Sequence, residues 1–168
     1  MVVIIERQVL DTLYKKYSNQ IYLYIYSLCK DNLLAQDLMQ DTFFKALISM
    51  ESSDEDILHW LYKVARNLYI DHWRKRKRYI VQGIENIDIY NEDDVIDKLL
   101  VEEQKMILYK AILKLSTKEK EVVELYYFSE LNQQDISNQL GMSPGNIRVT
   151  LHRSKLKLKK IITDHKDL

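Results

Sequence analysis

Chain breakers are scarce in this sequence: one proline and three glycines in 168 residues. A chain that is 46% hydrophobic and 30% charged has the composition of a folded protein. With so few punctuating residues, it should run as helices joined by short turns. Cysteine is nearly absent as well. Cys29 is alone, so no internal disulfide can form, and it lies in the apolar run IYLYIYSLCK as a small hydrophobe. Net charge is missing too, with 25 Lys+Arg against 25 Asp+Glu, so no overall field draws the chain to polyanions. No stretch approaches the roughly 18 apolar residues of a membrane span, and MVVIIER is too short for a signal peptide. The expected location is the cytoplasm, without membrane insertion.

Catalytic patterns are lacking in the same way. His59, His72, His152 and His165 fall in no HExxH or Cys/His metal pattern, and there is no Walker loop or GxSxG. Asp71 and His72 are the one close acid–imidazole pair, but neighbours on a helix point about 100° apart. The expectation is no enzyme, no cofactor and no metal.

What is present is helical periodicity. Leu10, Leu13, Tyr17, Ile21, Tyr24, Ile25 and Leu28 recur at steps of three and four, one face of an amphipathic helix. DNLLAQDLMQDTFFKALISM predicts a second helix, with Leu34, Leu38, Phe44 and Leu47 inward and Gln36, Asp37, Gln40, Asp41 and Lys45 polar. Ser53, with Asp56 three residues on, offers the cap of a third helix running through WLYKVARNLYIDHWRKRKR. From Tyr79 the period collapses. YIVQGIENIDIYNEDDVIDK is acidic and aperiodic, a linker with a short helix near its end. Helix returns near Leu99. Ser116 and Glu119 match a capping box. Asn132 is a cap with Asp135 three residues on, Gly141 is a helix stop, and Ser143–Pro144 begins a new helix. The plan is all-α: two small helical domains, 1–78 and 99–168, around an acidic linker, 79–98.

Charge is concentrated in two places. LNQQDISNQLGMSPGNIRVTLHR has the layout of a helix-turn-helix. Ile136 and Leu140 pack from its first helix. Ile147, Leu151, Ser154 and Leu158 make the inner stripe of the second, leaving Arg148, Val149, His152 and Arg153 free for a major groove. Six Lys/Arg and no acid lie between Arg148 and Lys160. The other concentration is Trp60–Arg78. There Leu61, Val64, Ala65 and Leu68 form the core stripe. Tyr62, Arg66, Tyr69 and Trp73 form a second row, and Lys63, Asn67 and Arg74 a third. Aromatics beside cations suit single-stranded nucleic acid, while the bland alternative is that these rings widen the core stripe. The block WRKRKR favours the nucleic-acid reading, because a neutral protein gains no general solubility from local charge.

DNLLAQDLMQDTFFKAL, WLYKVARNLYIDHWRKRKR and LSTKEKEVVELYYFSELNQQDISNQLGMSPGNIRVTLHRSKLKLKK resemble, in that order, regions 2 and 4 of the extracytoplasmic-function sigma factors of bacterial RNA polymerase. The resemblance implies an alternative sigma factor. It would bind core RNA polymerase, recognise the −10 and −35 promoter elements and melt promoter DNA. It also implies site residues. Asp37, Gln40, Asp41, Phe43 and Phe44 would grip the coiled coil of the largest catalytic subunit. Asn67, with Asp71 one turn on, would help capture a base flipped from the single-stranded −10 non-template strand. Tyr62, Lys63, Arg66, Tyr69 and Trp73 would flank it, and Arg74, Lys75, Arg76, Lys77 and Arg78 would hold phosphates. Arg148, Val149, His152 and Arg153 match the contacts to the −35 duplex, with Ser143, Pro144 and Gly145 at the helix start and Lys155 further along. Val149 stands where the family has a small polar residue and Thr150 where it has a basic one, so Val149 would touch a thymine methyl instead. The linker would thread the polymerase's RNA exit path or screen the basic faces of the free protein. With no further domain expected after Leu168, sensing would come from another protein, and an anti-sigma factor is an implied partner. Two readings compete: a stand-alone helix-turn-helix regulator, and an interaction module that binds core without promoting initiation.

Overall fold

Asp31 sets the first turn. Its carboxylate oxygen Oδ1 accepts the Leu34 amide at 3.1 Å and caps a helix, while Lys30 before it takes a left-handed φ of 53° to reverse the chain. This joins α1 (Arg7–Cys29) to α2 (Asn32–Ser49). The computed structural model describes residues 7–49, 57–83, 103–129 and 131–166. These contain seven helices and no strand. After α1 and α2 come α3 (Ile57–Val81), α4 (Glu103–Leu113), α5 (Thr117–Tyr127), α6 (Gln133–Leu140) and α7 (Pro144–Lys166). Contacts divide the chain into two compact units, Met1–Glu92 and Asp93–Leu168.

In the first unit α1, α2 and α3 pack pairwise on one another. The second half of α1 is buried nearly all round, because it serves both neighbours. Ile21, Tyr24, Ile25 and Leu28 are buried as their spacing predicts, and Tyr22 and Tyr26 join them. A stripe argument misses these two. Burial pushes the Tyr22 phenol up to about 12, and its hydroxyl donates to Asn32 Oδ1 at 2.9 Å.

Three expectations need correcting. Tyr62 does not belong to an outward aromatic row. It is 1% exposed, with its ring 4.8 Å from that of Tyr24, and it packs between α3 and α1 beside Leu61 and Ala65. Phe43 is not exposed on α2 either. It is buried, edge-to-face with Tyr14 at 5.1 Å. The inner face of α2 is Ala35, Leu38, Met39, Thr42, Phe43 and Ala46. Phe43 lies one turn beyond Met39, and Phe44, rotated about 100° further, faces out at 61% exposure instead of inward.

α3 runs three residues past Arg78, to Val81, and stops at Gly83, whose φ of 70° and amide bond to the Ile80 carbonyl make the turn. The proposed cap at Ser53 with Asp56, the linker from residue 84 and the start near Leu99 lie outside the described residues.

In the second unit α7 packs on α4, α5 and α6. The capping box at Ser116 is formed in both directions. The Glu119 amide donates to Ser116 Oγ at 3.4 Å, and the Ser116 amide donates to Glu119 Oε2 at 3.0 Å. Asn132 Oδ1 caps α6 by accepting the Asp135 amide at 2.8 Å, and Gly141 ends it at φ 65°, ψ 30°. A Cβ built on Gly141 would meet nothing within 4 Å, so only its backbone conformation demands glycine.

Substitutions at Gly141 and Tyr62 test these assignments. Gly141→Ala should lower the stability of the second unit by about 1–2 kcal/mol, and Gly141→Asn by less, in urea titrations followed by circular dichroism. Tyr62→Ala should cost roughly 3–5 kcal/mol in the first unit, against less than about 1 kcal/mol for half-exposed Trp73→Ala. Urea titrations followed by far-ultraviolet circular dichroism check these values as well.

Candidate nucleic-acid interface

Once Leu61, Tyr62 and Ala65 are committed to the core, α3 has one broad side left. Lys63, Asn67, Asp71, Arg74, Lys75, Lys77 and Arg78 are exposed there. Trp73 is 49% exposed, and Arg66, Tyr69 and Arg76 are half-buried. Tyr69 is tied down at its edge, because its hydroxyl donates to the Leu28 carbonyl at 3.1 Å and so pins α3 to the end of α1. The row Tyr62, Arg66, Tyr69, Trp73 is therefore not a continuous stacking surface, and Trp73 is its one well-exposed ring. Lys63, Asn67 and Arg74 do share one side of the helix, with Asp71 beside them.

Asp71 and Arg74 approach to 3.9 Å, with side chains 61% and 73% exposed. Water screens such a pair, so it constrains neither group much. Beyond it, Arg74, Lys77, Arg78, Val81 and Gln82 line an open groove at the end of α3. Three cations are thus gathered at one exposed place, a local concentration of charge that suits a phosphate backbone.

α2 carries a surface of another kind. Asp37, Gln40 and Asp41 are exposed beside Phe44, as are Leu33 and Ile48 at 64% and 53%. Positions 33, 37, 40, 44 and 48 follow one another at steps of three and four along one face. The sequence does not single out Leu33 and Ile48, because an apolar residue carries no sign of its own exposure. Large exposed apolar groups among carboxylates suit a protein partner better than nucleic acid, which the acids would repel.

In the second unit α6, the Gly141 turn and α7 form the helix-turn-helix. Ser143 starts α7: its Oγ accepts the Asn146 amide at 3.2 Å and its carbonyl accepts the Ile147 amide at 3.0 Å. Ser137 Oγ donates to the Met142 carbonyl across the turn. Ile136, Ile147 and Ser154 are fully buried, and Leu151 and Leu158 partly so. That leaves Pro144, Arg148, Val149, His152, Arg153 and Lys155 exposed, with Gly145 half-buried between them. Val149 is 48% exposed, an apolar group on an otherwise polar face. One cation of the basic run is engaged elsewhere. Lys157 Nζ lies 2.5 Å from Glu119 Oε1 on α5. The Lys157 ammonium holds the Glu119 carboxyl below its usual range, aided by the Ser116 amide and opposed by burial.

Known proteins match both units. The family model for sigma-70 region 2 matches residues 13–79, and that for sigma-70 region 4 matches residues 105–158. The extracytoplasmic-function sigma factor SigM of Bacillus subtilis is 33% identical over 153 residues, spanning 90% of this chain and 94% of that protein. SigW of the same organism is 31% identical over 160 residues, 88% of this chain and 86% of that protein. Among solved structures, the sigma factor RpoE of Bartonella quintana, crystallised with the anti-sigma factor NepR, has the same fold with a TM-score of 0.62. It is 22% identical and covers 93% of this chain and 98% of that one. Two sigma regions in order, and relatives at a third identity along nearly their whole length, mean that this chain belongs to the extracytoplasmic-function sigma factors of the sigma-70 family, the alternative factors that bind core RNA polymerase and direct it to promoters.

Proposed function

We propose that α3 and α7 divide promoter reading in this sigma factor, α3 taking the melted −10 element and α7 the −35 duplex. The observation that supports this most is that each helix is anchored by one buried stripe and turns a cationic, base-reading side outward. On α3 that side is Lys63, Asn67 and Arg74, with Trp73 beside it. On α7 it is Arg148, Val149, His152 and Arg153. Extruding a base costs a few kcal/mol, and Asn67 offsets part of this through hydrogen bonds to the base edge. The exposed cations after Trp73 hold the neighbouring phosphates. Arg148 is one turn into α7, close enough to its N-terminus to reach base edges, while Ser143, Pro144 and Gly145 meet phosphate at the helix start. Lys155 extends the phosphate contacts.

The α2 face of Asp37, Gln40, Asp41 and Phe44, extended by Leu33 and Ile48, docks on core polymerase. Phe43 supports it from beneath, as a core residue. The protein works in the cytoplasm without chemistry of its own. An anti-sigma factor is its inhibitory partner: RpoE and CnrH are both known in complexes, with NepR and with the cytosolic domain of CnrY, and this chain shares their fold. The acidic segment between the units weakens binding of the free chain to duplex DNA.

Two variants test the division. Asn67→Ala should impair promoter opening, read by permanganate reactivity, while leaving affinity for core polymerase unchanged. Equal loss of both would make Asn67 structural. Arg148→Ala should weaken use of the −35 element by ~1–3 kcal/mol if it pairs with guanine, read as the ratio of transcription from intact and scrambled −35 promoters. An unchanged ratio would remove Arg148 from the reading set.

A further inference from the structure

We infer that Glu119 is a positioning residue for promoter recognition: it fixes the rotation of α7, and hence the aim of Arg148, through Lys157. The inference rests on the reading of α7 as the −35 helix.

α7 has two kinds of anchor. Near the turn Ile147 is fully buried, and further along Leu158 packs against Ile112, Leu115 and Val123. These contacts hold the helix down but are non-directional, and an apolar stripe tolerates rolling about the helix axis. The contact of Lys157 with Glu119 is directional. Nζ and Oε1 are 2.5 Å apart, within charge-assisted hydrogen-bond distance. Glu119 is itself held, since its other oxygen accepts the Ser116 amide at 3.0 Å and its own amide donates to Ser116 Oγ. Its side chain is 13% exposed, against 58% for Lys157. The carboxylate is thus a fixed post on the first turn of α5, and the lysine a strut reaching to it from α7. Lys157 lies nine residues beyond Arg148, about 13.5 Å along the axis. A roll at one end therefore moves the other across the groove floor. The pair also takes Lys157 out of the set of cations available to phosphate, which the sequence alone counts as equivalent to its neighbours.

The test uses holoenzyme assembled from core polymerase and full-length chain. It reads the ratio of transcription from promoters with intact and scrambled −35 elements. Glu119→Gln keeps an oxygen for the Ser116 amide, so the cap and the fold survive, and circular dichroism checks this. It should lower the ratio about two- to fivefold, the range for an ion pair of this exposure. Lys157→Met should lower it equally, the double variant no further, and Lys157→Arg should restore it. An unchanged ratio in Glu119→Gln, while Arg148→Ala lowers it, would overturn the inference and leave the −35 reading standing. If Arg148→Ala also left the ratio unchanged, the −35 reading itself would fall, and the inference with it. A gain in promoter binding with Glu119→Gln and a loss with Lys157→Met would overturn the inference in another way, making Lys157 a plain phosphate contact that Glu119 blunts.

Discussion

Packing of the inner stripes of α3 and α7 decides everything that these helices can offer a nucleic acid. Leu61, Tyr62 and Ala65 on α3, and Ile147 and Ser154 on α7, are buried against their own units. A side chain committed there is lost to recognition, and its neighbours about 100° away are turned outward. The neutral net charge follows the same logic. Runs of cations are concentrated at the end of α3 and along α7, and acids are dense in the segment between the units, so charge is local although the chain is neutral.

Tyrosine makes the first unit possible. A helix buried on nearly all sides would ordinarily be uniformly aliphatic. In α1 the alternation of Tyr22, Tyr24 and Tyr26 with Leu23 and Ile25 fills the space between two neighbours with large rings. Those of Tyr22 and Tyr26 stack at 6.0 Å, and that of Tyr24 tilts onto Tyr62. The hydroxyl of Tyr69 then ties the end of α1 to the middle of α3, beside the exposed Asn67. The platform that presents Asn67 is therefore built by aromatic residues packed between α1 and α3.

Much of this was legible in the sequence, because local chemistry fixes it. The caps at Ser116 and Asn132, the left-handed stop at Gly141 and the start at Ser143 each depend on a few adjacent residues, and each is formed as its spacing predicts. The stripe of Ile147, Leu151, Ser154 and Leu158 was legible for the same reason. Side chains whose environment comes from another helix were not. Tyr62 and Trp73 look alike on a wheel of α3, and only the presence of Tyr24 opposite one of them separates core from surface. Phe43 and Phe44 differ by one position, and the choice between them needed the register set by Ala35, Met39 and Ala46. The engagement of Lys157 with Glu119 spans 38 residues, and no periodicity within α7 distinguishes this lysine from Lys155 or Lys159.

The most direct measurement is run-off transcription on fragmented genomic DNA of the source organism, with purified core RNA polymerase alone and with this protein added. New discrete transcripts should appear only with the protein. Their start sites should share two upstream elements spaced for simultaneous reading by two DNA-binding faces. Stable binding to active core without new transcripts would contradict initiation. Absence of binding to core would contradict the role of the α2 face as well.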